Sequence, residues 1–169
     1  TNLASAAECT ATDPGYYATT GSTAQLKCRP GTVAPNSNTA ACADCEAGTF
    51  MNASGGEACH DCPPGHYCEA GAAAPLPCAE GTHSDATNLA SAAECTDADP
   101  GFYATTGSTE QLECRPGTVA PGTRTAVCTE CEAGTFMNAS GGEVCHDCPP
   151  GHYCEKGAAA PLPCAEGTY

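Results

Sequence analysis

The residues whose side chains could bind a metal or carry out redox chemistry are concentrated in residues 59–69, which read CHDCPPGHYCE. Three cysteines and two histidines occur within these eleven residues. Two of these cysteines and two upstream cysteines have a spacing close to that of four-thiolate zinc sites, in which a histidine could replace a cysteine as ligand. The candidate zinc ligands are Cys42, Cys45, Cys59, Cys62, His60 and His66. A redox-active Cys-x-x-Cys pair and a set of structural disulfides are the two other interpretations.

The disulfide interpretation fits the pattern best. A zinc site would leave four of the eight cysteines in each sequence copy unexplained. A redox pair needs a helix directly after the motif to lower a thiol pKa, but Pro63 and Pro64 stand where that helix would begin. We therefore predict no metal, no cofactor and no redox chemistry at this motif.

The composition explains why disulfides are needed. The chain has 169 residues and 16 cysteines, but only 6 Leu, 4 Val and 3 Phe, with no Trp. Ordering each residue costs roughly 1–2 kcal/mol, and so few large apolar side chains cannot offset that cost. Such a chain is either disordered or covalently braced, and its cysteine content favours bracing.

The net charge of −15, from 20 acidic and 5 basic residues, excludes whole classes of partner. Nucleic acids and anionic membrane surfaces both require Lys and Arg. Calcium is a weaker alternative, because Asp97-x-Asp99 lacks the rest of a calcium loop. No window is apolar for long enough to span a bilayer, and there is no signal peptide. The opening TNLASAAECT recurs at residue 87, so we expect a piece of a longer protein.

The chain is an internal repeat with an 86-residue period. Residues 1–83 align without gaps with residues 87–169, and 69 of the 83 positions are identical. We therefore predict two cysteine-rich repeats, residues 1–86 and a truncated copy at 87–169. All sixteen cysteines are predicted to form disulfides, and they match between the copies as Cys9/Cys95, Cys28/Cys114, Cys42/Cys128, Cys45/Cys131, Cys59/Cys145, Cys62/Cys148, Cys68/Cys154 and Cys78/Cys164.

A finer unit of 16 to 19 residues lies inside each copy, with the pattern Cys-x-x-Gly-x-apolar, as in CRPGTV and CEAGTF. Pro-Gly at 14–15, 30–31 and 64–65 predicts type II turns, in which glycine supplies a positive φ. Helical turns are expected only at Leu3–Glu8 and Leu89–Glu94. The predicted fold class is small and disulfide-rich, an elongated solenoid-like stack of turn units with short β ladders and little helix.

The disulfide pairing stays open, because eight cysteines allow about 105 connectivities. We favour a local, crossed set over a sequential ladder. The crossed set is Cys42–Cys59, Cys45–Cys62, Cys68–Cys78 and Cys9–Cys28. The ladder is Cys28–Cys42, Cys45–Cys59, Cys62–Cys68 and Cys78–Cys95, which leaves Cys9 to find a partner in a preceding repeat.

Two sequons, Asn52-Ala53-Ser54 and Asn138-Ala139-Ser140, predict N-linked glycans at Asn52 and Asn138. No phosphate-binding glycine loop and no nucleophile elbow is present, and the histidines lack an identifiable nucleophile and orienting partner. We assign no catalytic residue and expect no enzymatic activity.

The strings CADCEAGTF, CHDCPPGHYC and PLPCAEGT resemble the ephrin-receptor-like cysteine-rich repeat. That module is similar in style to the EGF-like cysteine-rich modules of growth-factor receptors and to those of the tumour necrosis factor receptor. The resemblance covers essentially the whole chain, and it extends to the tandem arrays of very large surface proteins of algae and other protists. It implies secreted, rod-like modules at the cell surface. The triple Cys-x-x-Cys-x-x-Cys cluster of the tumour necrosis factor receptor is missing here.

Two functions follow as expectations. The first is an extracellular structural protein that builds a filament, flagellar hair (mastigoneme) or coat by association with like repeats or other structural proteins. The alternative is a receptor-type or adhesion ectodomain that binds a protein or glycan ligand. Its best marker is the change from NSN at 36–38 to GTR at 122–124, where the two copies differ in three consecutive residues.

Overall fold

A computed structural model describes residue 5 and residues 8–169, and this part of the chain consists mainly of two-residue strands joined by turns and irregular segments. The strands are β1 (Tyr16–Tyr17), β2 (Leu26–Lys27), β3 (Thr32–Val33), β4 (Ala43–Asp44), β5 (Thr49–Phe50), β6 (His60–Asp61), β7 (His66–Tyr67), β8 (Leu76–Pro77), β9 (Thr82–His83), β10 (Thr96–Asp97), β11 (Phe102–Tyr103), β12 (Leu112–Glu113), β13 (Thr118–Val119), β14 (Thr129–Glu130), β15 (Thr135–Phe136), β16 (His146–Asp147), β17 (His152–Tyr153) and β18 (Leu162–Pro163). Each odd-numbered strand pairs with the strand that follows it, which gives nine two-stranded sheets among the described residues. The pairing is antiparallel, with Phe50 opposite His60 and Phe136 opposite His146.

A tight glycine turn precedes the first strand of a hairpin. At the predicted Pro-Gly turns the N–H after the glycine donates to the carbonyl three residues earlier, and the glycine φ is positive. The bonds are Tyr16 N–H to Asp13 O (3.1 Å), Thr32 N–H to Arg29 O (3.1 Å) and His66 N–H to Pro63 O (3.2 Å), with φ of 80°, 82° and 74° at Gly15, Gly31 and Gly65. The predicted turns at 14–15, 30–31 and 64–65 are confirmed, and Ala47-Gly48 makes the same turn without proline, with φ of 88° at Gly48 and a bond from Thr49 N–H to Glu46 O.

Seven disulfides among the described residues brace the hairpins, and their pairing is the sequential ladder. They are Cys28–Cys42, Cys45–Cys59, Cys62–Cys68, Cys78–Cys95, Cys114–Cys128, Cys131–Cys145 and Cys148–Cys154. The favoured crossed set, Cys42–Cys59, Cys45–Cys62, Cys68–Cys78 and Cys9–Cys28, is therefore wrong. Cys9 and Cys164, the other two of the sixteen predicted disulfide cysteines, are free in the structure.

Strand pairing explains why the ladder is formed. Cys59 directly precedes β6, which returns along β5, and this brings its Cα to 5.8 Å from that of Cys45. A disulfide with this pairing closes the loop that contains β5 and ends directly before its partner strand β6. A bond from Cys42 to Cys59 would instead join the entries to β4 and β6, which belong to two different hairpins.

Cysteine supplies more of the buried side chains than any other residue type in the described part of the chain. All the largest fully buried side chains are cysteines, and Cys28, Cys62 and Cys114 have 0% exposure. Alanine fills further interior positions, such as Ala34 and Ala120 at 0%. The predicted small disulfide-rich fold with short ladders and little helix is confirmed, whereas the solenoid-like stack stays a prediction.

The chain contacts divide into two compact units, residues 1–76 with 87–91 and residues 77–86 with 92–169. The repeat boundary between residues 86 and 87 stays a prediction from the sequence. Where helical turns were expected at Leu89–Glu94, the structure has a 3-10 helix over Ala92–Glu94, and Leu89 forms a parallel bridge with Tyr67. The predicted turns at Leu3–Glu8 lie largely outside the described residues. Within the described ranges, no helix has the length and apolar character to cross a membrane.

Candidate functional site

The most regular feature of the molecule is a set of three backbone hydrogen bonds between successive hairpins, which we call the inter-hairpin bonds. The N–H of a turn glycine and the N–H three residues later both donate to carbonyls of the next hairpin. An N–H from that next hairpin returns to the carbonyl three residues before the glycine. In the first unit they are Gly31 N–H to Met51 O (2.7 Å), Ala34 N–H to Gly56 O (3.0 Å) and Gly55 N–H to Cys28 O (2.8 Å).

The second sequence copy repeats these bonds. They run from Gly117 N–H to Met137 O (2.8 Å), Ala120 N–H to Gly142 O (3.0 Å) and Gly141 N–H to Cys114 O (2.8 Å). Every donor and acceptor is shifted by the 86-residue period, and no distance changes by more than 0.1 Å. The same sequence therefore presents the same hydrogen-bonding edge each time it occurs.

The turn glycines let the hairpins approach closely because they have no side chain. Gly31 and Gly117 have φ of 82° and 85°, and a Cβ on either would collide with a backbone carbonyl of the hairpin after the next, at Gly71 and Gly157 respectively. Gly134 has the same conformation, with φ of 90°, but a Cβ there would meet nothing within 4 Å. Both the left-handed backbone and the close approach therefore require glycine at the contact positions.

The residue that donates the returning bond also has a left-handed backbone. Most hairpins use glycine there, as at Gly55 and Gly141. In the described part of the chain, the three non-glycine residues of positive φ occupy the same position, namely Asn38 (62°), Asn88 (62°) and Arg124 (59°). Asparagine tolerates this conformation, whereas arginine adopts it only under strain. The change from Asn38 to Arg124, the best sequence marker of a ligand site, thus falls on a position with a backbone role.

Where threonine follows the turn glycine it reinforces the turn, and sequence reasoning missed this role. Thr32, Thr82 and Thr118 are buried, and each Oγ1 donates to the carbonyl three residues earlier at 2.7–2.9 Å. That carbonyl also accepts the backbone N–H of the same threonine. The recurrent Cys-x-x-Gly-Thr string was the available signal.

The proposed zinc and redox residues are used in other ways. The four cysteines of the zinc alternative all lie in disulfides and offer no thiolate. Cys59 and Cys62 are bonded to Cys45 and Cys68, not to each other. The His60 ring lies 5.8 Å from the Phe50 ring across the hairpin. The described residues contain no cluster of three or more potential metal ligands.

A groove of about 640 Å³ lies beside β1, lined by residues 8–13, 18 and 22–25. Its carboxylate Asp13 accepts a hydrogen bond from Gln25 Nε2 at 2.8 Å, and Gln25 Oε1 accepts from the Asp13 N–H at 2.8 Å. Asp99 and Gln111 make the same two bonds in the other copy. These hydrogen bonds therefore join the two sides of each hairpin.

Four of the five basic side chains lie beside acidic ones, and the 20 acidic residues dominate the charge of the chain. Arg29 pairs with Asp44 at 3.2 Å, and the other ion pairs are longer, at 3.7–3.8 Å. All these groups are at least 48% exposed, so each pair stabilises the fold by at most about 1 kcal/mol. The predicted glycan acceptors Asn52 and Asn138 are both exposed, and their occupancy stays a prediction. No protein-family model matches the chain, and a search of the curated proteins gives no match.

Proposed function

We propose that this chain is an extracellular structural repeat protein, a building block of a filament, flagellar hair (mastigoneme) or cell-surface coat. The observation that carries the proposal is the recurrence of the inter-hairpin bonds at the 86-residue period. A surface that fits a translated copy of itself supports open, heterologous assembly. Association with like repeats therefore requires no new kind of contact.

The disulfides support a location outside the reducing cytosol. Seven bridges in 169 residues are typical of proteins that fold in an oxidising environment. Closing a loop of about 15 residues stabilises a fold by on the order of 3 kcal/mol in the chain-entropy model. The proposal places the chain on the secretory route and at the cell surface, with glycans on Asn52 and Asn138.

The surface charge supports a role in assembly with polar, extracellular partners. The net charge of −15 opposes contact with nucleic acid and with anionic lipid. It also limits unspecific aggregation, because like-charged copies repel one another until a directional contact forms. We assign the chain no catalytic role and no cofactor.

The alternative, a receptor-type or adhesion ectodomain, rests on the difference between residues 36–38 and 122–124. Arg124 lies 3.8 Å from Asp97 in an exposed ion pair, so the second copy presents a positive charge where the first presents Asn38. A pull-down with the chain as bait would recover one stoichiometric ligand if this alternative holds. Arg124→Asn should then abolish the capture.

Electron microscopy of the concentrated, oxidised chain tests the structural proposal. We expect filaments or ordered layers with a regular axial repeat. The matched control is the same material after reduction and alkylation, which should give no ordered assembly. Oxidised material that remains as isolated particles at every concentration would contradict the proposal.

A further inference from the structure

A second groove, of about 250 Å³, brings together two of the five basic residues of this acidic chain. It is lined by residues of the β1–β2 and β3–β4 hairpins, which belong to one compact unit. The lining residues are Tyr17, Lys27, Arg29, Thr32, Ala41, Cys42 and Asp44. We call these seven residues the basic groove.

The ammonium of Lys27 is available to a ligand. In the described part of the chain the other four basic side chains each form an ion pair, whereas Lys27 pairs with no carboxylate. Its Nζ lies 6.0 Å from the centre of the Tyr16 ring, at the outer limit of a cation–π contact. Its Cγ and Cδ lie 3.7 Å from the position that a Cβ on Gly55 would occupy, so the stem packs against that turn. A side chain that is already positioned loses less entropy when it binds a ligand.

The ion pair between Arg29 and Asp44 leaves both groups with unused capacity. One guanidinium nitrogen, Nη2, lies 3.2 Å from Asp44 Oδ1. A guanidinium carries five N–H donors and a carboxylate has two acceptor oxygens, so Arg29 can still donate to an anion and Asp44 can still accept from a hydroxyl. The pair therefore offers a donor and an acceptor side by side.

This combination fits an acidic sugar better than an acidic peptide. Lys27 and Arg29 favour a carboxylate, Asp44 accepts from a hydroxyl, and the half-buried Tyr17 supplies an apolar ring surface against which a sugar ring can pack. A peptide carboxylate would use the two cations, but it brings no hydroxyl for Asp44, which would repel it. The volume suits one sugar unit, since pockets for larger ligands begin at about 300 Å³.

The net charge of −15 does not oppose a ligand of this size. At physiological salt the Debye length is about 8 Å, so carboxylates farther from the groove are largely screened. Nucleic acids and anionic membranes differ because they require many cations on one surface.

We propose that the basic groove binds one hexuronate unit of an acidic polysaccharide. Lys27 and Arg29 hold its carboxylate, Asp44 accepts from a ring hydroxyl, and Tyr17 packs against the sugar ring. The groove goes beyond the proposed structural function, because it would attach the chain to polysaccharide as well as to other copies. Binding does not require assembly, so a failure of one does not decide the other.

The second sequence copy provides an internal control. It keeps Tyr103 and Arg115 at the equivalent positions, but Glu113 replaces Lys27. Cγ and Cδ of Glu113 lie 3.9 Å from the position of a Cβ on Gly141, so this side chain packs against the equivalent glycine and carries the opposite charge. We expect hexuronate to bind the first copy and not the second.

A titration followed by backbone amide NMR shifts tests the site. The probes are the methyl glycosides of glucuronate and galacturonate, each compared with its neutral methyl glycoside, which lacks only the carboxylate. We expect at least one acid to bind with a Kd on the order of 1 mM. Shifts should occur at the amides of Lys27, Arg29 and Thr32 and not at their counterparts 86 residues later. Equal binding of acidic and neutral sugars, or no binding of either acid, would overturn the proposal.

Two charge reversals separate the groove from general electrostatics. Lys27→Glu introduces the residue that the second copy has, where the equivalent inter-hairpin bond is unchanged at 2.8 Å, so the variant should fold. It should weaken hexuronate binding at least about tenfold. Lys156→Glu changes the net charge by the same amount outside the groove and should leave the affinity unchanged. Equal losses in the two variants would show that the sugar responds only to net charge, against the proposal.

Two further probes test the class of ligand. A short glutamate peptide should bind more weakly than the hexuronate glycoside, and equal or tighter binding at the same amides would overturn the proposal in favour of an acidic protein segment. An oligogalacturonate should shift the same amides at no higher concentration of sugar units than the monosaccharide. Failure of the oligomer to enter the groove would overturn the assignment to a polysaccharide.

Discussion

Replacing Gly117 by alanine tests whether close backbone approach between hairpins stabilises the fold. Gly117 has φ of 85°, donates its N–H to Met137 O, and accepts a bond from Cys131 N–H. The new Cβ would collide with the Gly157 carbonyl. Alanine in this left-handed conformation costs about 1–2 kcal/mol, and the collision should cost a further ~1–3 kcal/mol, because the hairpins must separate.

Gly134 provides a matched control in the same compact unit. Its φ is 90°, it donates to Cys154 O at 2.9 Å, and it accepts from Cys148 N–H at 2.8 Å. Because no atom lies within 4 Å of the position that an alanine Cβ would occupy, Gly134→Ala should cost only the conformational term. The difference between the two variants isolates the close approach.

Native-state amide hydrogen exchange measures both effects locally. The reporters are the Cys131 N–H for Gly117→Ala and the Cys148 N–H for Gly134→Ala, since each donates to the substituted residue. We expect the rate increase for Gly117→Ala to exceed that for Gly134→Ala by roughly 5- to 150-fold, at tenfold per 1.4 kcal/mol. Equal increases in the two variants would refute the reasoning.

Three further predictions concern strain, bridges and glycans. Arg124→Asn should raise the free energy of unfolding by about 0.5–1 kcal/mol in denaturant titrations, because relief of left-handed strain exceeds the loss of an exposed ion pair; a decrease would show that the pair with Asp97 dominates. Replacing both cysteines of Cys114–Cys128 by alanine should cost about 3 kcal/mol, against about 2.4 kcal/mol for the shorter loop of Cys148–Cys154; a reversed order in calorimetry would contradict the loop-length account. Chain secreted from a glycosylating host should lose mass on endoglycosidase treatment, less so for Asn52→Gln and not at all for Asn52→Gln/Asn138→Gln; an unchanged loss in the double variant would place the glycans elsewhere.

The sequence was sufficient to predict the class of fold. The scarcity of large apolar residues and the abundance of cysteine predicted covalent bracing, and the Pro-Gly pairs predicted the turns at 14–15, 30–31 and 64–65. Both inferences depend on local chemistry, since proline and glycine restrict their own backbone angles. The structure confirms both inferences, and neither required information about long-range contacts.

The disulfide pairing depended on contacts that local chemistry does not specify. Cys42 and Cys59 flank strands of two residues each, and strands this short carry no alternation to indicate which segments pair. The choice between the crossed set and the ladder therefore required the register of Phe50 against His60. The ladder was available from the sequence as the rival, and the regular Cys-x-x-Gly spacing was its signal.

The candidate site was partly accessible from sequence. The 86-residue period implied repeated surfaces, but not that backbone groups form them. The role of Thr118, and the left-handed backbone shared by Asn38, Asn88 and Arg124, became clear only from hydrogen bonds and φ angles. The occurrence of asparagine and glycine at equivalent positions could have indicated a left-handed backbone, but the arginine at 124 obscured this pattern.

The central claim is that hairpins closed by a sequential disulfide ladder give this chain its shape, and mass-spectrometric disulfide mapping of the purified, oxidised chain tests it most directly. The account predicts linked peptides for Cys28–Cys42, Cys45–Cys59, Cys62–Cys68 and Cys78–Cys95, with an intact monomer about 14 Da lighter than the reduced chain, two hydrogens for each of seven bridges. Peptides linking Cys42 to Cys59 or Cys45 to Cys62, or a chain with sixteen reactive thiols, would contradict it.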